Sequence, residues 1–254
     1  MYLVLRKMKM KMKMKRKLIT FLCICLFGSV IAQNSKSKKV LKVKEIEYAG
    51  SADLKKVSEL LELNSELHSI SVLNWDTYQY SPDVKFRIAH NNNQIWLKYY
   101  VKEKSIRAVI AETNGAVHTD SCVEFFFDPL GNGSYYNFEF NCIGTTHLAY
   151  GPGRGNRNFI APEIIQNEIQ ISSTLGDEPF NEITGAHSWE MTIVIPASSL
   201  TYNKALQLKG LNSSANFYKC GDKSAEEHYL SWNSITTERP DFHRPEFFGS
   251  IIFE

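Results

Sequence analysis

The sequence lacks the motifs by which metal enzymes and nucleotide-binding proteins are usually recognised. It contains no CxxC pair, and its seven histidines form neither HxH nor HExxH, so the residue spacing typical of zinc sites is missing. The Gly-rich segment GPGRGNR at 151–157 lacks the Lys-Ser/Thr ending of a phosphate-binding loop. We therefore expect no metal site of a familiar spacing and no phosphate cradle.

Positive charge is scarce once the N-terminal segment is set aside. Residues 1–32 run from a basic stretch through the apolar segment LITFLCICLFGSVIA to small residues before Gln33, which is the order of a secretory signal peptide. This segment holds 8 of the 29 Lys and Arg residues and none of the 27 acidic ones. The rest of the chain has 21 basic residues against 27 acidic ones, a net charge of −6. An acidic chain without a basic stripe argues against a nucleic-acid partner.

Few cysteines remain to cross-link an exported chain. Beyond the predicted leader there are three, Cys122, Cys142 and Cys220, which allow at most one disulfide. Cys122 is expected to pack as a small buried residue, with a bridge to Cys142 as the alternative. The interpretation is of a secreted or periplasmic monomer that has no membrane span once the leader is removed, because the apolar run is short for a bilayer.

Strand patterns dominate the chain after the leader. Residues 33–44, QNSKSKKVLKVK, are polar and basic and predict a flexible linker. Apolar residues between Leu54 and Leu61 recur at helical spacing and predict a short helix over 52–63. Many short alternating segments bounded by turn residues follow. They predict an all-β fold, an antiparallel β-sandwich of jelly-roll type with one or two short helices, in one domain over 45–254. The predicted strands include 84–90, 94–101, 122–128, 135–141, 187–196 and three short segments near the C-terminus.

Two of these segments predict a β-hairpin. CVEFFFD at 122–128 and YYNFEFN at 135–141 are joined by a loop that contains glycine. If Asp128 faces Tyr135, every second residue from Val123 onward falls on one apolar face. That face must belong to the core, because it is aromatic or aliphatic throughout.

The other face of this hairpin is polar. It sets Glu124 directly across from Glu139, with Asn137 and Asn141 beside them. Like charges in a direct cross-strand pair destabilise a sheet, and a register shifted by two would place Glu124 opposite Asn137 or Asn141 instead. In either register the face presents carboxylates and amides together, which suits a ligand rich in hydroxyl groups.

A structural interpretation of these polar residues is the alternative. Any sandwich shows outward-facing polar residues on an exposed sheet face. Asp120 and Asp128 flank the first hairpin strand, where turn residues are common. If a calcium ion is bound, these two carboxylates are its candidate ligands, although no loop has the dense Asp/Asn spacing of a calcium site. No other cofactor is expected.

The loop at 151–157 contains two arginines, Arg154 and Arg157. One interpretation is a flexible loop at the rim of the sandwich. The other is a binding loop in which both arginines supply the positive charge that the acidic pair lacks.

Three groups of residues carry a family resemblance: DSCVEFFFDP with YYNFEFN, ANFYKCGD with HYLSWN, and FHRPEFFGSIIFE. In their order and spacing they resemble carbohydrate-binding module family 9, in particular its exported Bacteroidetes-type relatives, over residues Leu73 to Glu254. The resemblance implies a β-sandwich that binds sugars without cleaving them. Such modules are often attached to glycan-degrading enzymes or encoded beside them.

The resemblance also implies a binding site. Members of the family hold a sugar ring between two tryptophans, and the matching positions in this chain are His118 and Phe242. The motif glutamate corresponds to Glu124, while the family's arginine on the neighbouring strand is replaced by Glu139. Sugar C–H faces would pack on the rings, gaining about 25 cal/mol per Å² of buried apolar surface. Charged acceptors such as Glu124 would orient the sugar through hydrogen bonds worth about 1.5–3 kcal/mol each.

Two other functions would use the same features. Glu124 and Glu139 also form the kind of carboxyl pair that a glycoside hydrolase uses, at about 5–5.5 Å in retaining enzymes and about 6.5–9.5 Å in inverting ones. A protein-interaction module of a cell-envelope complex is the second alternative. We predict non-catalytic carbohydrate binding as the function. The predicted site comprises His118, Glu124, Glu139 and Phe242, with Asn137, Asn141, Arg154 and Arg157 as further candidates.

Overall fold

The computed structural model describes residues 38–48 and 53–254. The predicted leader, 1–32, and residues 33–37 of the predicted linker lie outside the described residues. Among the helices of the described part, none combines the length and the hydropathy that crossing a bilayer requires.

Within these residues the chain forms two α-helices and fourteen β-strands, with four 3-10 turns between them. The helices are α1 (Leu54–Asn64) and α2 (Pro162–Glu168). The strands are β1 (Val40–Glu45), β2 (His68–Ser69), β3 (Val72–Leu73), β4 (Asp83–His90), β5 (Gln94–Ala108), β6 (Cys122–Asp128), β7 (Tyr135–Asn141), β8 (Thr146–Gly153), β9 (Asn156–Phe159), β10 (Gln170–Ser173), β11 (Phe180–Pro196), β12 (Asn212–Cys220), β13 (Tyr229–Ser231) and β14 (Gly249–Phe253).

The strands form two sheets that share β1. Sheet 1 has the order β10-β11-β5-β4-β1, and sheet 2 has the order β1-β14-β12-β6-β7-β8-β9. The described pairings are antiparallel except for those of β1, which runs parallel to β14 and parallel to β4. The predicted all-β sandwich with two short helices is confirmed. The strand that joins the sheets, β1, adds two parallel pairings to this otherwise antiparallel sandwich.

The predicted flexible linker over 33–44 is also wrong where it overlaps β1. Leu41 and Val43 point into the core and are fully buried, while Lys42 lies outside and its Nζ pairs with Glu254 at 2.8 Å. The segment VLKVKE has the period-two alternation of a half-buried strand. Its basic composition concealed that alternation, because lysines occupy the outward positions.

Aromatic rings from both sheets fill the space between them. Phe86 of sheet 1 stacks on Phe217 of sheet 2 with ring centroids 3.9 Å apart, and Phe217 stacks in turn on Phe125 at 4.9 Å. Every second residue of β11 from Trp189 to Ile195 is buried in the same core. Each fully buried ring of this kind stabilises the fold by about 1.5–3 kcal/mol relative to an exposed one.

Helix α1 covers the outer face of sheet 1. The predicted helix over 52–63 is confirmed, and Asp53 caps it by accepting a hydrogen bond from the Lys55 backbone at 2.9 Å. Val57 and Leu61 are buried against Trp96 in a separate apolar cluster. The helix thus covers part of this face, whereas the polar residues of the predicted hairpin lie on the outer face of sheet 2.

The predicted hairpin is formed by β6 and β7, and its register is the first of the two considered. It runs from Cys122 opposite Asn141 to Phe127 opposite Tyr136 and places Glu124 directly opposite Glu139. The register shifted by two residues is therefore wrong.

Candidate functional site

A single row of side chains crosses the outer face of sheet 2. Glu124 on β6 is opposite Glu139 on β7 and opposite Tyr218 on β12, and Glu139 is opposite His147 on β8. Directly opposed residues of antiparallel strands point to the same face with Cβ atoms about 4.5–5.5 Å apart. Four strands thus bring two carboxyls, a phenol and an imidazole into one line.

A pocket of about 480 Å³ opens above this row. Its volume lies within the range usual for small-molecule sites. Six predicted site residues line it: His118, Glu124, Glu139, Arg154, Arg157 and Phe242. A larger depression of about 650 Å³ beside Asp128 and Gly131 contains none of the eight predicted residues.

His118 lies on the 3-10 turn Val117–Thr119, directly before β6. Its carbonyl accepts a hydrogen bond from the Asp222 backbone at 3.2 Å, which ties this turn to the segment after β12. Its Nδ1 lies 3.7 Å from Oε2 of Glu139, and its side chain is 41% exposed. The Glu139 carboxylate raises the pKa of His118 against the opposing effect of burial, so the imidazole and the carboxylate form an ion pair on the acidic side of neutrality.

The two opposed carboxyls differ in charge. Burial, together with the negative charge of Glu139, raises the pKa of Glu124 well above its usual value. Burial acts on Glu139 in the same sense, but the neighbouring His118 imidazole outweighs it and the pKa of Glu139 falls to about 2. Glu124 therefore holds its proton to a higher pH than an ordinary carboxyl, whereas Glu139 is ionised at neutral pH, which lessens the repulsion expected of the pair. Glu139 is thus the ionised acceptor of the pair, and the role of Glu124 as a charged acceptor stays a prediction.

Several buried polar atoms on this face have no hydrogen-bond partner among the described residues. They include Oε2 of Glu124, Oε2 of Glu139, Oδ1 of Asn137 and Nε2 of His147. The remaining atoms of these groups are engaged: Asn137 donates to Glu139 Oε1 at 2.9 Å, and His147 Nδ1 donates to the Asn114 carbonyl at 3.2 Å. A buried polar group left unpaired costs about 1–3 kcal/mol. The face is therefore complementary to a molecule that carries hydrogen-bonding groups.

Phe242 lines the pocket, but most of its ring is covered. It stacks on Tyr218 with centroids 4.1 Å apart and an interplanar angle of 8°, and it is only 7% exposed. Tyr229 approaches its edge at 6.1 Å and also lines the pocket. His118 and Phe242, the positions matched to the paired tryptophans, thus both line the pocket, but His118 is much more exposed than Phe242.

Both arginines of the 151–157 loop reach the pocket, as the binding-loop interpretation requires. Arg154 Nη2 lies 3.4 Å from Asp241 Oδ1. Arg157 donates to His243 Nε2 at 3.0 Å, and His243 Nδ1 donates in turn to Tyr135 Oη at 2.8 Å. Burial and the charges of the two arginines lower the pKa of His243 to about 3, so this imidazole is neutral and accepts from Arg157.

Gly151 allows this loop to fold back against β8. A Cβ atom at Gly151 would lie 2.2 Å from the Asn156 carbonyl oxygen and 2.6 Å from Cα of Arg157. No side chain fits at that distance, so the close approach of β8 and β9 depends on glycine. The same approach positions the arginines at the pocket.

Asn141 lies outside the pocket, contrary to the prediction. Its Nδ2 donates to Asp120 Oδ2 at 3.0 Å, and Asp120 also pairs with Arg107 Nε at 3.2 Å. Asp128 accepts hydrogen bonds from the backbone of the β6–β7 loop, including Gly133 at 2.7 Å. These contacts favour the structural interpretation for the two aspartates: both oxygens of Asp128 and Oδ2 of Asp120 accept hydrogen bonds from protein groups, and Oδ1 of Asp120 is ion-paired with Arg107. Asn137 is fully buried and positions Glu139 rather than lining the pocket.

Several pocket residues were missed by sequence reasoning. Cys220 at the end of β12, Asp222 just after it and His243 before β14 all line the pocket. The segments KCGD and FHRP, which carry part of the family resemblance, contain these residues. The resemblance identifies the segments, but it does not show which of their side chains face the site. Phe159 on the edge strand β9 was also missed. It is 59% exposed, and its ring lies 5.1 Å from that of His147.

Both a family model and solved structures match this chain. Residues 55–253 match the family described as carbohydrate-binding family 9. The crystal structure of a candidate carbohydrate-binding protein from Bacteroides uniformis is 43% identical, covers 86% of this chain and 100% of its own, and has a TM-score of 0.83.

Two structures of a carbohydrate-binding module family 9 from Caldicellulosiruptor kristjanssonii share the fold at lower identity. One is in complex with glucose (13% identity, TM-score 0.52) and covers 85% of this chain and 96% of its own. The other is in complex with cellotriose (12% identity, TM-score 0.53) and covers 85% of this chain and 94% of its own. No curated protein matches the sequence. By the family match and the 43% identical structure, the chain belongs to carbohydrate-binding family 9.

Proposed function

We propose that the protein is a non-catalytic module that binds a saccharide in the 480 Å³ pocket. The observation that carries this proposal is a pair of buried oxygens, Oε2 of Glu124 and Oε2 of Glu139, that accept no hydrogen bond from the described residues. A sugar hydroxyl is both donor and acceptor. Protonated Glu124 donates to one hydroxyl and ionised Glu139 accepts from another, so neighbouring hydroxyls on one ring satisfy both groups.

The rings of His118, Tyr229 and Phe242 supply the apolar contact. Because Phe242 is 7% exposed, His118 and Tyr229 provide much of the surface on which C–H groups of the sugar pack. A shallow site of this kind gives affinities between micromolar and millimolar, or about −8 to −4 kcal/mol. Glucose and cellotriose, the sugars bound by the Caldicellulosiruptor module, are the first ligands to test.

Hydrolysis is the second candidate, and one observation favours it. A protonated carboxyl opposite an ionised one is the charge arrangement of a glycosidase acid and its partner. In a binding module the same two charge states serve donation and acceptance of hydrogen bonds. A reducing-sugar assay decides between them, because turnover that Glu124→Gln abolishes would establish a hydrolase.

A glycan array of plant and microbial polysaccharides, followed by titration calorimetry, tests binding. We expect His118→Ala and Glu139→Gln to lower the affinity for the retained sugar at least tenfold. Glu59→Gln, on α1 over the opposite sheet, should leave it unchanged. A folded protein that is retained on no glycan refutes the proposal, and stable co-purification with an envelope protein would then support the interaction module.

We also propose that the protein is exported and supports glycan degradation outside the cytoplasm. The support is the order of basic, apolar and small residues over 1–32. Expression in a bacterial host followed by N-terminal sequencing of the extracytoplasmic product should give a chain that begins at Gln33. An unprocessed chain found only in the cytoplasm would contradict export without affecting sugar binding.

A further inference from the structure

Two cysteines and a glutamate meet at the wall of the pocket. Cys122 on β6 is directly opposite Cys220 on β12, and Glu124 is two residues along β6 on the same face. Their ligand atoms, two Sγ and one carboxylate oxygen, all lie within 4.8 Å of one another, and Cys220 Sγ is 3.1 Å from Glu124 Oε1. All three residues are buried, with Glu124 only 2% exposed. The cluster is compact because cross-strand and second-neighbour positions share one face.

Sulfur and oxygen ligands at these distances match the requirements of a thiophilic cation. Zinc binds thiolate sulfur at about 2.3 Å and carboxylate oxygen at about 2.0–2.2 Å in a tetrahedral arrangement. That geometry separates two sulfur ligands by about 3.8 Å, so atoms within 4.8 Å need only small side-chain rotations to close around an ion. Oε2 of Glu124 is buried, has no partner among the described residues, and belongs to a side chain that lines the pocket.

We propose that Cys122, Glu124 and Cys220 form a binding site for a thiophilic divalent cation, with Zn²⁺ as the physiological candidate. Each thiol releases its proton to solvent when its sulfur binds the ion, and the carboxyl does the same. Three protein ligands leave a fourth coordination position for water on the pocket side. The site shares Glu124 with the proposed sugar site but does not rest on sugar binding.

Cobalt titration of the reduced, metal-free protein under anaerobic conditions tests the proposal, since Co²⁺ reports thiolate ligands by its absorption spectrum. We expect one ion per chain, a sulfur-to-cobalt charge-transfer band, and loss of that band when Zn²⁺ is added. Cys122→Ser and Cys220→Ser should each weaken Zn²⁺ binding at least tenfold. Cys142→Ser is the matched control, because Cys142 is also free and buried but lies in the core between the sheets.

The cobalt spectrum of the unaltered protein keeps the test decisive if a serine variant does not fold. A reduced wild-type protein without a sulfur-to-cobalt band overturns the proposal. So does a band that both serine variants retain, or one that Cys142→Ser removes equally. Intact mass spectrometry showing Cys122 joined to Cys220 in the isolated protein would also overturn it, by assigning the pair to a disulfide. None of these results bears on glycan binding, which is measured in the presence of a chelator.

Discussion

The pH dependence of folding stability tests the charge state of Glu124. Burial of this residue, at 2% exposure, and the adjacent charge of Glu139 raise its pKa well above the ordinary value near 4.5. Between 4.5 and the folded-state pKa, the folded protein keeps a proton that the unfolded chain has lost. The free energy of unfolding therefore decreases as pH rises through this interval, by about 1.4 kcal/mol per pH unit. Above the folded-state pKa this contribution becomes constant.

Replacing Glu124 with glutamine should remove this decrease. The amide is neutral at every pH, and its oxygen still accepts the hydrogen bond from Cys220 that the structure shows at 3.1 Å. We expect Glu124→Gln to match the wild type near pH 4 and to be more stable than it at pH 7. Urea unfolding followed by tryptophan fluorescence, at several values from pH 4 to 7.5, measures the two curves.

Glu139→Gln is the control, because Glu139 affects the pH dependence of the free energy of unfolding in the opposite direction. The pKa of Glu139 is lowered to about 2, so its contribution is present above about 4.5 and is lost as pH falls toward 2. At about 1.4 kcal/mol per pH unit, that interval corresponds to about 3 kcal/mol, which the variant should lose at pH 7. Parallel curves for the wild type and Glu124→Gln, or a Glu124→Gln variant that is less stable at pH 7, would refute the protonated state of Glu124.

The remaining predictions concern the loop, the rim and the core. Gly151→Ala should lower the free energy of unfolding by about 1–3 kcal/mol and weaken sugar binding, because its Cβ meets the Asn156 carbonyl oxygen at 2.2 Å. Gly153→Ala, where the added atom meets nothing within 4 Å, should do neither, and urea unfolding with calorimetry compares the two. Phe159→Ala should lower the affinity for cellotriose about tenfold, or about 1.4 kcal/mol, while that for glucose stays the same, since its exposed ring lies at the sheet edge beyond His147. The exposed Leu130→Ala should change neither affinity in the same calorimetric titrations. Phe217→Ala should cost about 3–5 kcal/mol in urea unfolding, since its ring stacks between the two sheets, and a loss below about 1 kcal/mol would contradict that packing.

Much of the fold was predictable from the sequence because its signals are local. The β6–β7 hairpin and its apolar face follow from alternation over seven residues on each side of a short loop, whereas the structure was needed to decide between its two possible registers. Helix α1 follows from apolar spacing over three turns. The strand β1 was mistaken for a linker because its short alternation falls within a lysine-rich segment, and its two parallel partners lie far along the chain.

The candidate site was predictable in part. Glu124 and Glu139 came from the hairpin pattern, and His118 and Phe242 from the family resemblance. The opposite directions of the pKa shifts of the two carboxyls could not be predicted, because they depend on burial and on a turn that sets His118 3.7 Å from Glu139. Asn141 was assigned to the site because its position in the strand predicts which face its side chain lies on. That position does not predict its hydrogen-bond partner, which is Asp120.

The sequence by itself determined most of the strands and the polar face of the hairpin that carries Glu124 and Glu139, since side-chain alternation and turn chemistry act over a few residues. Only the tertiary structure decided that β12 pairs with β6, which brings Cys220 beside Glu124 across 96 residues of chain. It also decided that Arg157, at the start of β9, reaches the pocket. Pairings between distant strands depend on which sheet edges and apolar faces meet when the whole core packs, and no local pattern encodes that choice.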